Sequence, residues 1–173
     1  MQKNTFIYKV FLLTFFLSII FSTITNIIAY NTNQIIMLII LILILVISII
    51  FDMVATSALT SNEASFHAKN TKKVKGAKET IYLIKNNVKV VSICSDVIGD
   101  ISGIISGALG AVLAINLAYT SGYNIAAISV LVAALISAFT VCGKSLFKEV
   151  AVKNSDRIIF MVGKVYYFLK FKK

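Results

Sequence analysis

The chain has 173 residues, of which 58% are hydrophobic and only 14% charged, and its mean hydropathy of +0.91 excludes an ordinary soluble domain. The net charge of +10 does not indicate nucleic-acid binding, because sixteen of the seventeen basic residues are lysines that lie between apolar blocks. Those blocks are long enough to cross a bilayer of about 30 Å, which predicts an all-α integral membrane protein with a single transmembrane domain over residues 1–173.

Two predicted spans occupy the first third of the chain. The first, about 10–29, is too long for the apolar core of a signal peptide and lacks a small-x-small cleavage pattern, so we interpret it as an uncleaved helix. The second, about 35–60, begins as a run of mostly Ile and Leu up to Phe51 and continues with polar residues. A short turn without charged residues separates the two spans.

A lysine-dense segment, about 69–89, follows the second span. Within it, apolar residues recur at spacings of three and four, which is the pattern of one face of an α-helix. These residues are Val74, Ala77, Ile81, Ile84 and Val88. The pattern predicts an amphipathic helix that lies in the plane of the cytoplasmic membrane interface. The alternative is a helix packed on a soluble domain, for which the sequence offers no candidate.

Two more predicted spans, about 90–119 and 125–142, are again joined by a turn without charge. Beyond them, residues 147–169 include an apolar stretch that is too short to span and is interrupted by Lys164, so we expect a second interfacial helix there.

The orientation follows from where the basic residues lie. They occur at the N-terminus, in the middle segment and in the C-terminal tail, whereas the turns between paired spans have none. Positive charge marks cytoplasmic loops, so we expect four spans with both termini in the cytoplasm, in a bacterial-type inner membrane.

Acidic residues within the spans are the strongest indication of function, because an ionised side chain at the bilayer centre costs at least about 2.5–3.5 kcal/mol. Asp96 and Asp100 stand four residues apart on one face of the third span, near several glycines and serines. A second oxygen-bearing face, in the second span, consists of Asp52, Thr56, Thr60 and Glu63. Hard divalent cations such as Mg²⁺ prefer carboxylate, hydroxyl and water oxygens, so the two faces predict a cation site.

Each of these residues also has a structural interpretation. The threonine hydroxyls can donate to carbonyls of their own helix, the glycines can serve helix packing alone, and Asp52 and Glu63 can lie solvated at the inner interface. We interpret His67 as a solvated loop residue rather than a ligand. Cys94 and Cys142 lie in or beside apolar segments with no Cys/His cluster, which indicates reduced, buried thiols.

The polar segments around these spans resemble the transmembrane domain of the CNNM/CorC (CorB) magnesium transporters. The run Thr-Ser-Ala-Leu-Thr-Ser-Asn-Glu-Ala at 56–64 is similar to that family's Ser-x-x-x-Ser-Gly-x-Glu-like motif. The run Ser-Asp-Val-Ile-Gly-Asp at 95–100 is similar to its Gly-Asn-x-x-x-Asn motif, and segments 143–148 and 153–157 resemble the continuation after the last span. The resemblance implies five metal ligands, which are Thr56, Thr60, Glu63, Asp96 and Asp100.

Three departures from the family pattern bear on the implied site. Lys144 stands where the family has a glutamate, and Phe147 stands where it has a proline. The CBS-pair domain that usually follows in the family is not found within these 173 residues, so we expect no nucleotide control of that kind. Lys144 can leave a cation cavity with rearranged charges, or it can fill the place of the cation as an internal counter-ion.

The sequence therefore predicts a membrane transporter or binding protein for a divalent cation of the Mg²⁺ type. The resemblance implies a homodimer, coupling to sodium, and alternating access of a cavity near the bilayer midplane. The alternative is a small structural or pore-forming membrane protein, holin-like or immunity-type, which would not require two aligned polar faces. We identify no nucleophile–base set and no cofactor motif, so we expect neither an enzyme nor a bound cofactor, and no partner beyond the bilayer and a second copy.

Overall fold

The computed structural model describes residues 2–171, except for the side chains of residues 2–7, 9–10, 30–31 and 171. The side chains of Lys3, Lys9, Lys172 and Lys173, which contribute to the predicted orientation, therefore lie outside the described residues. Over residues 2–171 the chain is all-α and contains no strand, as predicted.

Eight α-helices and one π-helical segment make up this range. They are α1 (Gln2–Asn31), α2 (Gln34–Thr60), α3 (Ala64–Thr71), α4 (Ala77–Lys85), α5 (Asn87–Val91), the π-helical segment (Ser92–Val97), α6 (Ile98–Ser121), α7 (Ile125–Lys153) and α8 (Ser155–Phe171).

Four stretches are long and apolar enough to cross a membrane, which is the number of such helices that the sequence predicts. They are Phe11–Ala29, Gln34–Thr60, the continuous stretch Asn87–Ser121, and Ile125–Lys153. The last one differs from the prediction, which ended the span at residue 142. Lysine is a good helix former and the chain contains no proline, so the lysines that end the apolar run do not end the helix. Residues 147–153 therefore belong to α7 rather than to a separate interfacial helix.

The chain divides into two compact units, the first of which consists of Met1–Ser48 and Val97–Cys142. In this unit α1 packs along α6, and the first half of α2 contributes to the same core. The buried core side chains are Ala29, Met37, Leu41, Leu45, Val97, Ile101, Ile105, Leu109 and Leu113. Gly110 admits the side chain of Ile136 so closely that a Cβ atom would overlap it. Small residues that permit such approach are typical of helices packed within a membrane.

The second unit consists of Ile49–Asp96 and Gly143–Lys173. Its core joins the end of α2 to α3, α4 and α8, and its buried side chains are Ala58, Phe66, Ile81, Ile84 and Ile159. The ammonium of Lys69 lies 4.8 Å from the ring centroids of both Phe66 and Phe160, so its charge is held over two aromatic faces. At Gly163 a Cβ atom would overlap the Thr80 hydroxyl, which shows how closely α8 approaches α4.

The lysine-dense segment is not one long amphipathic helix. The left-handed backbone of Lys73 (φ 53°) and Gly76 (φ 86°) turns the chain between α3 and α4, and α4 ends at Lys85. Of the five residues of the predicted apolar face, Ala77, Ile81 and Ile84 are buried against protein, whereas Val74 and Val88 are exposed. The sequence offered no domain for this helix to pack on, because the second unit is assembled from two distant segments of the chain.

Candidate functional site

The second unit contains a buried carboxylate on a helix that is long and apolar enough to span a membrane. Asp52 lies on α2, about 27 Å along the helix axis from Gln34 at ~1.5 Å per residue, and its side chain is only 5% exposed. Its Oδ1 atom accepts a hydrogen bond of 2.7 Å from the Ser95 hydroxyl. The alternative that Asp52 is solvated at the interface is therefore wrong.

The second carboxylate oxygen faces a lysine. The Nζ atom of Lys148, on α7, lies 3.4 Å from Asp52 Oδ2, and the Lys148 side chain is 54% exposed. Oδ2 accepts no hydrogen bond from any residue in the described part of the chain. One oxygen of the carboxylate is thus satisfied by a hydroxyl, and the other is paired with the charge of a partly exposed ammonium.

Local backbone features bring these three side chains together. Ser95 lies in the π-helical segment, where the wider turn shifts the side chains relative to a regular α-helix, and such segments are frequent at functional sites. Gly143 lies next to Ile49, and a Cβ at Gly143 would be 2.5 Å from the Ile49 Cδ1 atom. Gly143 therefore lies where α7 comes close to α2, about one turn from the Asp52 pair.

The two threonines of the predicted ligand set hydrogen-bond within their own helix. The Thr56 hydroxyl donates to the Asp52 carbonyl and the Thr60 hydroxyl donates to the Thr56 carbonyl, both at 3.0 Å. Thr56 is half-buried and Thr60 is exposed. Both hydroxyls thus make the bonds that the structural interpretation expects, and each oxygen keeps lone pairs that can bind a cation.

Glu63 lies beyond the end of α2, outside the spans, and has two basic neighbours. Its Oε1 atom is 2.8 Å from His67 Nε2 and 3.4 Å from Lys85 Nζ. The hydrogen bond from His67, followed by the contact with Lys85, lowers the pKa of Glu63 below its ordinary value. His67 is solvent-exposed, as expected, but it lies on helix α3 rather than in a loop.

The remaining two predicted ligands face outward from the chain. Asp96, in the π-helical segment, and Asp100, in the first turn of α6, are both exposed. Among residues 2–171 no group of three or more His, Cys, Asp and Glu side chains is placed to hold a metal ion. The five residues of the predicted set are thus not gathered into one all-protein metal cage.

Two further expectations are changed by the structure. Lys148, and not Lys144, forms the ion pair with Asp52. The prediction named Lys144 because that residue stands where the resembling family has a glutamate. The Asp52 carboxylate was on the predicted oxygen-bearing face, but nothing in its spacing showed that it would be buried.

Of the two cysteines, Cys142 is exposed and Cys94 is partly buried, so the expectation of two buried thiols is wrong; both are free.

A separate polar pocket lies at the start of α8. It has a volume of about 450 Å³ and is lined by Thr60, Asn62, Lys153, Asn154, Ser155, Asp156 and Arg157. The Asp156 carboxylate accepts hydrogen bonds from the backbone N–H of Asn62 at 3.1 Å and the Ser65 hydroxyl at 2.9 Å. These bonds fasten the start of α8 to the loop after α2, so Asp156 has a structural role.

Comparisons of the chain with protein-family models, with curated proteins and with solved structures gave no match. The resemblance to the CNNM/CorC transmembrane domain therefore rests on the sequence motifs alone, and it stays a prediction.

Proposed function

We propose that this protein binds a divalent cation of the Mg²⁺ type and moves it across the membrane, with Asp52 as the central carboxylate. The observation that supports this function is the Asp52 Oδ2 atom, which is buried, makes no hydrogen bond with the described residues, and faces only the ammonium of Lys148. A carboxylate enclosed near the end of an apolar span is costly unless a positive charge compensates it.

Lys148 is proposed to occupy the position of the cation in this state. The lysine ammonium is a compact charge on a flexible stem, and its side chain is half-exposed, so it can swing away without disturbing the helix backbone. A cation that enters then replaces the charge that Lys148 removes. Binding is accordingly a competition between a tethered ammonium and a free ion for the same carboxylate.

The oxygen ligands suit a partly hydrated ion. Mg²⁺ usually keeps several waters and binds through one or two carboxylates, so Asp52 and the Ser95 hydroxyl form a sufficient protein contribution. Thr56, whose hydroxyl contacts the Asp52 carbonyl, lies one turn further along α2. Asp96 and Asp100 stay candidate ligands or attracting charges, because exposed acidic groups raise the local concentration of cations.

A homodimer with cytoplasmic termini in a bacterial-type inner membrane is part of the same proposal. Gly103 and Gly107 of α6 are exposed, and a Cβ added at either would have no neighbour within 4 Å. Small residues four apart allow two helices to approach closely in a bilayer, so this face suits a second copy of the chain.

The experiment is thermal unfolding of the purified full chain in detergent, measured against Mg²⁺ concentration. An ion at about 100 times its Kd stabilises the folded state by about 2.7 kcal/mol, or roughly 5–11 °C for a chain of this size. We expect the rise in the wild type, a rise at lower Mg²⁺ concentration in Lys148→Met, and none in Asp52→Asn. Glu149→Gln removes an exposed carboxylate on α7 and is the matched control, which should respond as the wild type does.

The double variant Asp96→Asn with Asp100→Asn tests the other predicted ligands. If this variant loses the Mg²⁺ response and Asp52→Asn keeps it, the ion binds at Asp96 and Asp100 and not at Asp52. Indifference of all the variants and of the wild type to Mg²⁺ would contradict the proposed function.

One observation favours a structural membrane protein as the second candidate. Lys148 already neutralises Asp52, so a purely structural role, holding α2 and α7 together, is sufficient to explain the pair. Under that function Asp52→Asn and Lys148→Met change stability, but Mg²⁺ changes the unfolding temperature of neither variant. We propose no catalytic activity for either candidate.

A further inference from the structure

Helix α8 has apolar side chains on two opposite faces. On one face Ile159 and Gly163 are buried against the rest of the second unit, and Tyr166 stacks on Tyr82 of α4 with ring centroids 6.2 Å apart. The opposite face carries apolar residues at spacings of four, three and one. They are Met161, Val165, Phe168 and Leu169.

This second face, which we call the outer face of α8, is not covered by the chain. Each of its four side chains is more than half exposed. A contiguous row of large apolar side chains left open on a helix marks a surface that contacts another molecule or a membrane.

The position of α8 in the chain indicates what covers the outer face. Helix α7 is a candidate membrane span that ends at Lys153, and α8 begins at Ser155, so α8 starts within one residue of a helix that crosses the bilayer. A helix held so close to the bilayer, with one open apolar row, matches the helices that lie in the headgroup region.

The charges beside the outer face fit acidic headgroups. Arg157 and Lys164 lie along one edge of the row and are both exposed, and Lys170 follows near the end of the helix. The acid within α8 is Asp156, whose carboxylate accepts hydrogen bonds from the Asn62 backbone N–H and the Ser65 hydroxyl. The helix therefore presents cationic groups beside an apolar row, which is the combination that binds anionic lipid.

We propose that the outer face of α8 is a docking surface for the anionic lipid of the membrane in which α7 is inserted. Met161, Val165 and Phe168 enter the boundary between headgroups and acyl chains, while Arg157 and Lys164 bind the lipid phosphates. The opposite face of α8 carries α4, so the second unit is fastened to the membrane surface through α8.

The natural chain has no tryptophan, so one introduced Trp reports on a single position. The full chain is reconstituted into vesicles that contain lipids brominated near the headgroup, either in phosphatidylcholine alone or in equal parts of phosphatidylcholine and phosphatidylglycerol. Phe168→Trp places the reporter on the outer face, and Tyr166→Trp places it two residues away, on the face that contacts α4. Both changes replace one aromatic ring by another, and circular dichroism establishes that both variants are folded.

We expect the bromine atoms to quench Phe168→Trp at least about twofold more strongly than Tyr166→Trp, because only the first ring enters the lipid. The quenching of Phe168→Trp should increase further with phosphatidylglycerol, and Arg157→Gln with Lys164→Gln should remove that increase.

Equal quenching of the two reporters would overturn the docking surface. A blue-shifted Phe168→Trp emission that depends on protein concentration, without quenching, would assign the face to a second copy and also overturn the proposal. Quenching that does not respond to phosphatidylglycerol would overturn the role of the acidic headgroups.

Discussion

Removing the charge of Lys148 tests the central pair of the site directly. In Lys148→Met the aliphatic part of the side chain is kept, while the Asp52 carboxylate loses the cation that lies 3.4 Å from its Oδ2 atom. The carboxylate stays enclosed, with the Ser95 hydroxyl as its hydrogen-bond donor. We therefore expect the variant to fold with lower stability.

The size of the loss can be bounded from the geometry. Two unit charges 3.4 Å apart attract each other by about 5 kcal/mol at an effective dielectric constant of about 20, and by about 1 kcal/mol in bulk water. Because Lys148 is 54% exposed, solvent screens the pair and the value falls in the lower part of this range, at about 1–3 kcal/mol.

A double-mutant cycle isolates this term. The unfolding temperatures of the wild type, Lys148→Met, Asp52→Asn and the double variant are measured in detergent without divalent cations. About 2–4 °C corresponds to 1 kcal/mol for a chain of this size, so we expect the double variant to unfold about 2–12 °C above the value obtained by adding the two single effects. The recovery arises because Asn at position 52 no longer buries a charge that needs the ammonium.

Lys144→Met is the matched control, because Lys144 is one turn earlier on the same helix and makes no ion pair within residues 2–171. It should change the unfolding temperature little and show no coupling to Asp52→Asn. A coupling near zero for Lys148, or an equal coupling for Lys144, would refute the argument that Lys148 is the internal counter-ion.

Three further predictions concern other parts of the chain. Because the pKa of Glu63 is lowered, its ionised form stabilises the fold above pH 4.5, and this contribution disappears as the pH falls through the lowered value. The unfolding temperature of the wild type should therefore exceed that of Glu63→Gln only above the acidic range. Gly163→Ala should lower the unfolding temperature by about 2–12 °C (about 1–3 kcal/mol). Gly143→Ala should lower it by less, because the Cβ at position 143 would meet only the flexible end of a side chain. In a chain without its native cysteines, a membrane-impermeant thiol reagent should label Asn33→Cys from outside and leave Lys73→Cys unlabelled, and the reverse pattern would refute the proposed orientation.

The four helices that are long and apolar enough to span a membrane could be predicted from the sequence because their signal is local. A helix of about twenty apolar residues satisfies its own backbone hydrogen bonds, so length and hydropathy suffice to locate it. The predicted span and the observed helix differ at the end of α7, where hydropathy and helix formation separate. Lys144 and Lys148 end the apolar run, yet both are favourable in a helix.

The second unit could not be predicted in the same way, because it depends on contacts between distant parts of the chain. Ile81 of α4 and Ile159 of α8 are buried in one core although 77 other residues separate them in sequence. The spacing of the apolar residues showed correctly that α4 has an apolar face. It contained no information on whether lipid or protein covers that face, since both environments favour the same side chains.

The same limit explains why Asp52, and not Asp96 or Asp100, is the residue on which the proposed function depends. Periodicity predicted two oxygen-bearing faces, and the energetic argument gave most weight to the pair in the third span. Asp100, however, lies about 31 Å along its helix from Ser121, close to the full thickness of a hydrocarbon core, and its side chain is exposed. Headgroup water can solvate it there, so its charge requires no other partner. Asp52 is enclosed by protein, and its charge must be compensated by Lys148 or by an ion, which makes Asp52→Asn the substitution that decides whether a cation site exists.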